Sequence, residues 1–200
     1  MNRPPRPASR PGARRSPPGE VRLIGGLWKR SKLPVPDRPG LRPTPDRVKE
    51  TLFNWLGQDL DGWRVLDAFA GTGALGFEAA SRGAAEVVLL ERDPVLAHSL
   101  EATRQRLGGT MVRIERADAL AWMAGVAPGR FELVLLDPPF DAGVALPAVA
   151  VAAPLACEGG FVYLESGQPL AEPPPGLVLH RSLKAGAVHA QLFRRVAESL

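Results

Sequence analysis

The chain has 200 residues, 45% hydrophobic and 23% charged, a balance that suits one globular domain with a full core and excludes a fibrous or wholly disordered polypeptide. Its single cysteine, Cys157, excludes an internal disulfide and leads us to expect a reducing, cytoplasmic location, with the thiol serving as a small buried hydrophobe. Net charge is +4 but unevenly spread: residues 1–49 carry 13 Lys or Arg against 3 Asp or Glu, whereas residues 50–200 carry 12 against 18. A basic front end on an acidic body points to a polyanionic partner met by that front end.

Residues 1–19 form a Pro/Arg/Ser/Gly stretch without apolar periodicity and are expected to be a disordered tail. Residues 21–33 set β-branched and aromatic residues around Gly25-Gly26, which predicts a short hairpin studded with Arg22, Lys29, Arg30 and Lys32. A proline-punctuated loop follows over 34–45. Thr44 or Asp46 then caps a helix running to about Gly57, with Val48, Leu52, Phe53, Trp55 and Leu56 as its apolar face. Residues 20–57 are thus expected to form an N-terminal extension, and residues 58–200 the main domain.

From Trp63 onward strands and helices alternate. Strands are predicted over 64–68, 86–91, 111–116, 131–137 and 160–165, and helices over 73–82, 94–107, 119–124 and 146–156. Uninterrupted apolar runs such as Val87-Val88-Leu89-Leu90 imply burial on both faces, hence an α/β fold with a parallel sheet. Two further strand-like runs, 177–182 and 187–194, predict a closing antiparallel hairpin. The most apolar stretch, 142–156, is too short to span a bilayer and contains Pro147 and Pro154, so no membrane association is expected. The N-terminus has no apolar core of a secretory signal.

Residues 65–76 read as a strand, a glycine-rich turn and a helix start. Gly71, Gly73 and Gly76 fit GxGxxG, and Glu91 ends the next strand, 20 residues after Gly71. The glycines admit a ligand close to backbone, and the terminal carboxylate suits ribose hydroxyls, which alone fits a nicotinamide dinucleotide equally well. Asp67 separates the two. At the mouth of the first strand it would repel a diphosphate but attract the ammonium of a methionine moiety. Asp118, at the end of the third strand, is placed to accept from an adenine amino group. Three strand-end carboxylates above a glycine loop point to S-adenosylmethionine.

The strand over 131–136 delivers Asp137-Pro138-Pro139-Phe140 to the sheet's carboxyl edge, where open α/β sheets bind ligands. An exocyclic amine on a nucleobase is a poor nucleophile because its lone pair is delocalised into the ring. Two acceptors aimed at its N–H bonds, the Asp137 carboxylate and the Pro138 carbonyl, would turn that lone pair toward a sulfonium methyl. Pro138 and Pro139 fix φ and remove competing donors, while Phe140 offers a face on which an extruded base can stack. An acceptor-only carboxylate leans toward guanine, whose Watson–Crick edge shows two adjacent donors, but adenine stays open.

With these residues in view, the chain from Val21 onward resembles the bacterial RsmD family, which methylates guanine N2 in small-subunit ribosomal RNA. The likeness rests on Arg22-Leu23-Ile24-Gly25-Gly26, on residues 40–56 (GLRPTPDRVKETLFNWL), on the 67–76 loop and on Asp137-Pro138-Pro139-Phe140. It implies a class I S-adenosylmethionine-dependent methyltransferase, Rossmann-like, with a seven-stranded sheet and a short N-terminal extension. It also implies action on 16S RNA during 30S assembly, so that the partner is the 30S subunit or an assembly intermediate. By the same resemblance Thr51 and Asn54, on a helix that also carries Asp46, hold the methionine end of the cofactor. Arg42 and Arg47 join the hairpin cations on RNA, and Ala68, Phe69, Thr72, Arg92 and Ala119 line the cofactor beside the carboxylates. The stretch Val188-His189-Ala190-Gln191-Leu192-Phe193 departs from the tyrosines expected of relatives.

His98, His180 and His189 are scattered, so neither a metal site nor a histidine base is expected. An adenine-N6 DNA methyltransferase would want a sequence-reading domain, for which about sixty residues after Phe140 leave little room. A catalytically idle RNA-binding assembly factor would have no use for the Asp137–Phe140 turn. A monomer is the default expectation.

Overall fold

The computed structural model describes residues 20–38, 46–140 and 143–197. The expected tail over 1–19, Arg42 and the Thr44 cap lie outside the described residues. Short strands β1 (Glu20–Arg22) and β2 (Lys32–Pro34) pair antiparallel and precede helix α1 (Asp46–Trp55). The alternating part follows: β3 (Arg64–Asp67), α2 (Ala74–Ser81), β4 (Glu86–Leu90), α3 (Pro94–Leu107), β5 (Val112–Glu115), α4 (Ala119–Ala124), β6 (Phe131–Leu136) and α5 (Ala145–Ala152). A turn of 3-10 helix, Ala153–Leu155, leads into β7 (Ala156–Ser166), and β8 (Leu177–Ala185) and β9 (Val188–Arg195) close the chain.

The main sheet has seven strands in the order β5-β4-β3-β6-β7-β9-β8. Strands β3 to β7 are parallel, and β9 runs antiparallel to both of its neighbours. Successive residues point to opposite faces. Val65, Leu89, Leu133, Leu135 and Tyr163 therefore face one core, shared with α1 and α2, while Leu66, Val88, Val134, Leu136 and Leu164 face the other, shared with α4 and α5. Both faces are covered, which is why the strand sequences are apolar without alternation.

Local chemistry sets the ends of α3. Asp93 accepts from Val95 N and Leu96 N, Pro94 stands at the first turn, and Gly108 closes the helix in the left-handed conformation at φ 66°. The basic hairpin differs from expectation. Gly25-Gly26 is not a tight turn between strands but part of a loop from Leu23 to Ser31 that lies on the C-terminal end of α2. Glu78, fully buried, accepts from Ile24 N and Gly25 N at 2.8 Å each. Ser81 Oγ donates to Gly25 O at 2.6 Å and accepts from Trp28 N at 2.9 Å. Gly26, at φ 69°, fits because a side chain there would run into the Ser81 carbonyl. Val21, Leu23, Trp28 and Leu33 thereby join the same core as Phe53, Phe77 and Leu100.

Among the described residues no helix is long and apolar enough to cross a membrane.

Candidate active site

The strand order reverses between β3 and β6, since β3 leads out to β4 while β6 leads the other way to β7. The carboxyl ends of these two strands bound the crevice where such sheets take ligands. Out of β3 comes the glycine loop. Ala68 N donates to Leu135 O, and Ala70 N to Leu90 O, at 3.0 Å each, so the loop is tied to both flanking strands. Gly71 and Gly73 hold φ 53° and 78°, and a Cβ on Gly73 would press into Phe77 and Leu100.

Asp67 lies beneath this loop and is only 1% exposed, not at an open mouth as its strand-end position suggested. Its Oδ2 accepts from Gly76 N at 2.9 Å, and Phe69 N–H also donates to it. Burial pushes the carboxyl up to about 7 against those two donors, and the nearby negative charges of Glu91 and Glu165 add to the rise. Where an open carboxylate was expected, Asp67 is instead enclosed and holds the glycine loop by these two hydrogen bonds.

Glu91, at the end of β4, closes the other side. It accepts from Gly71 N at 3.0 Å and from Asp93 N at 2.8 Å, so its carboxylate touches the glycine turn itself. Asp118 caps α4 by accepting from Ala121 N at 3.0 Å and is exposed beside Ala119. Thr72 and Ala119 are buried, Phe69 is half-buried and Arg92 is exposed. Asp67, Ala68, Glu91 and Asp118 thus stand at three neighbouring strand ends around one loop.

At the end of β6, Pro138 is buried, Asp137 half-buried, Pro139 exposed and Phe140 exposed at 36%. A Cβ built on Gly167 would sit 3.8 Å from the Phe140 side chain, so the ring leans on the chain just past β7. The sequence reading gave β7 no functional residue. Register pairs Leu136 with Leu164, which brings Glu165 beside Asp137. Glu165 is 2% exposed and accepts from Tyr163 Oη at 3.0 Å. Burial drives the Tyr163 hydroxyl well above its usual range, and the charges of Glu165 and Asp137 add to that. The signal that marked Asp67 and Glu91, a carboxylate ending an apolar strand, was present here too.

The other expected residues make their contacts within the N-terminal extension and with α2. Asn54 borders a shallow cleft with Ile24, Glu50, Gln58 and Arg82. Arg82 stands at the C-terminal end of α2, nine residues from Gly73, roughly 13 Å at 1.5 Å per residue. Asn54 is thus placed beside the hairpin loop and the end of α2. The Thr51 hydroxyl donates to Arg47 O at 2.8 Å within the helix. Asp46 pairs at 3.1 Å with Lys49, a wholly buried lysine that also donates to Arg22 O at 2.6 Å and so joins helix to hairpin. Arg22, Lys29, Arg30, Lys32 and Arg47 are exposed. Leu27 N bonds to Ser81 O at the amino edge, however, so Lys29 and Arg30 flank the edge opposite Asp137. Among the described residues no group of three or more His, Cys, Asp or Glu is placed to hold a metal.

A sheet of seven strands whose one antiparallel member is slotted inside the last edge is the frame of the class I methyltransferases, and this Rossmann-like chain is built on it. Within that class the chain belongs to the RsmD family: residues 21–194 match the family described as conserved hypothetical protein 95. Ribosomal RNA small subunit methyltransferase D of Escherichia coli (strain K12) is 40% identical over 187 residues, covering 90% of this chain and 92% of the relative. Its counterpart in Haemophilus influenzae is 39% identical over 187 residues, 88% of this chain and 94% of the relative. The solved structure of yhhF from Escherichia coli has a TM-score of 0.80 at 36% identity, covering 90% of this chain and all of that one (100%).

Proposed function

We propose that the chain transfers a methyl group from S-adenosylmethionine to N2 of a guanine in 16S ribosomal RNA, within the 30S subunit or an intermediate of its assembly. The observation that carries this reading is the placement of Asp137-Pro138-Pro139-Phe140 across the strand switch from the glycine loop. The relatives named for methylation of small-subunit ribosomal RNA support the substrate class.

The chain's own residues suit this cofactor. A loop with two glycines at positive φ leaves room at the backbone, Glu91 stands where ribose hydroxyls would donate, and Asp118 faces solvent beside it. Strand-end carboxylates favour a ligand of net positive charge and disfavour a diphosphate. When bound, S-adenosylmethionine supplies an electrophilic methyl on a sulfonium. Asp67, Phe69, Gly71, Thr72, Gly73 and Gly76 form or hold its loop, with Ala68, Arg92 and Ala119 alongside and Thr51 on the neighbouring helix.

Asp137 and the Pro138 carbonyl accept the two N–H bonds of the target amine and direct its lone pair. As the amine takes the methyl and the methyl–sulfur bond breaks to leave a neutral thioether, positive charge would grow on nitrogen, where Asp137 and the neighbouring Glu165 stabilise it. The surplus proton leaves nitrogen through the Asp137 carboxylate to solvent. Phe140 carries the base on its exposed face. Arg22, Lys29, Arg30, Lys32, Arg42 and Arg47 meet phosphates, and because Lys29 and Arg30 lie at the far edge, the reading favours a large folded RNA over a short strand.

Incubation with tritiated S-adenosylmethionine and unmethylated 30S particles tests this reading. Label recovered as N2-methylguanosine, lost in Asp137→Ala with cofactor binding retained, is the expected result. Label in duplex DNA as N6-methyladenine, with none in RNA, would overturn it.

A further inference from the structure

Gln191 lies on β9 at 3% exposure, on the same sheet face as Phe193 and the α5 side of the core. Both ends of its amide go to one residue, 21 positions away. Leu170 N donates to Oε1 at 2.7 Å, and Nε2 donates to Leu170 O at 3.0 Å. A buried amide matched in both directions to backbone fixes that backbone, since either side alone would be left unpaired out of water.

Leu170 sits in the connection between β7 and β8, a segment with Pro169, Pro173, Pro174 and Pro175. Proline has no N–H, so this segment cannot build a ladder of its own and depends on clamps from outside. There is one at each end: Ser166 Oγ donates to Gln168 O at 2.6 Å, and Val196 N donates to Gly176 O at 2.9 Å. Gln191 supplies the one in between. The same segment begins at Gly167, whose backbone backs the Phe140 ring.

We infer that Gln191 is a positioning residue for substrate recognition: by clamping Leu170 it holds the 167–170 shelf against Phe140, and so sets the face on which an extruded purine stacks. This rests on the reading of Phe140 given above.

The test compares the full-length wild-type chain with Gln191→Leu, which keeps bulk but offers Leu170 nothing polar, and with Gln191→Glu, which keeps the acceptor for Leu170 N–H. Steady-state methylation of unmethylated 30S particles is measured together with S-adenosylmethionine affinity by calorimetry and amide exchange over 167–172. A misplaced wall remote from the chemistry shows mainly in binding of the reacting base, so KM for the particle should rise about tenfold in Gln191→Leu and by less in Gln191→Glu. Turnover at saturation and cofactor affinity should stay within about twofold, as expected for groups that touch neither cofactor nor reacting atoms. Exchange at Leu170 should quicken in the same order. Faster exchange with an unchanged KM would overturn the inference, since the clamp would then be structural only. If Gln191→Leu does not fold, Gln191→Glu carries the same comparison. A wild-type chain that labels no RNA would sink the reading of Phe140 itself, a failure visible in that control alone.

Discussion

The Asp67 carboxylate accepts the Gly76 N–H at 2.9 Å across the glycine loop while almost wholly withdrawn from water. Strand β3 is thereby tied to the first turn of α2, and each residue needs the other as it is. A Cβ on residue 76 would stand 3.0 Å from Asp67 Oδ2 and run into the Leu89 side chain. Gly76→Ala should lower stability by about 1–3 kcal/mol through overpacking and weaken S-adenosylmethionine binding, read by urea unfolding and calorimetry. Full cofactor affinity in a stably folded Gly76→Ala chain would disprove the coupling.

The same pair predicts a pH effect. Folding raises the Asp67 carboxyl from its ordinary 3.8 to about 7. Between those values the folded state holds a proton that the unfolded chain has released, so this group makes stability fall as pH rises from about 4 to about 7. Each pH unit is worth about 1.4 kcal/mol, which puts the swing on the order of 4 kcal/mol. Asp67→Asn removes it. Wild type should therefore gain on Asp67→Asn as pH is lowered from 7 to 4 in paired urea titrations; parallel curves would rule out the buried acid as the source.

Much of the fold was legible because its causes are local. Asp93, Pro94 and Gly108 are cap, first turn and terminator of α3, so its predicted span, 94–107, is the observed one. Strands β3, β4 and β6 were readable within a residue because both faces are buried and the apolar run ends where burial ends. Strand β7 starts four residues before the predicted 160, since Ala156–Gly159 pairs with β6 through an irregular register that leaves no apolar pattern. At the site, the glycine loop and the tetrapeptide were legible, but what holds them was not. Glu78, Gln191 and Lys49 act on backbone 21 to 54 positions away, and no local pattern marks a polar residue whose partner is brought to it only by the fold.

Glu78 anchors the N-terminal hairpin and is a sensitive point of stability. Its side chain is fully buried and also pairs with Arg82 at 2.8 Å, whose guanidinium is 8% exposed. Glu78→Ala leaves two backbone donors without their acceptor and removes the carboxylate from Arg82, which keeps Gln58 O and the Phe53 ring. Removing one partner of such a pair costs about 3–5 kcal/mol, and thermal unfolding should show a correspondingly large drop in Tm. Glu78→Gln retains one acceptor and should lose distinctly less. Equal losses would mean that side-chain volume, not the carboxylate, holds the hairpin.

Phe140 and Asp137 stand three residues apart on one turn, and the proposed function gives them different steps, which kinetics can separate. The Phe140 ring is partly open to solvent and rests on Gly167, which suits the surface for the base proposed above. Stacking of a base on an aromatic ring is worth about 1–3 kcal/mol, equivalent to roughly 5- to 150-fold in affinity. Phe140→Ala should therefore raise KM for the ribosomal particle within that range and leave cofactor affinity untouched, while Phe140→Tyr, which keeps the ring, should restore most of it. Asp137→Asn replaces an acceptor-only carboxylate by an amide of the same shape. Its loss should fall on kcat, because the interaction with the amine strengthens only as charge develops on nitrogen. A kcat defect in Phe140→Ala with unchanged KM, or the reverse pattern in Asp137→Asn, would show that the two roles have been assigned to the wrong residues.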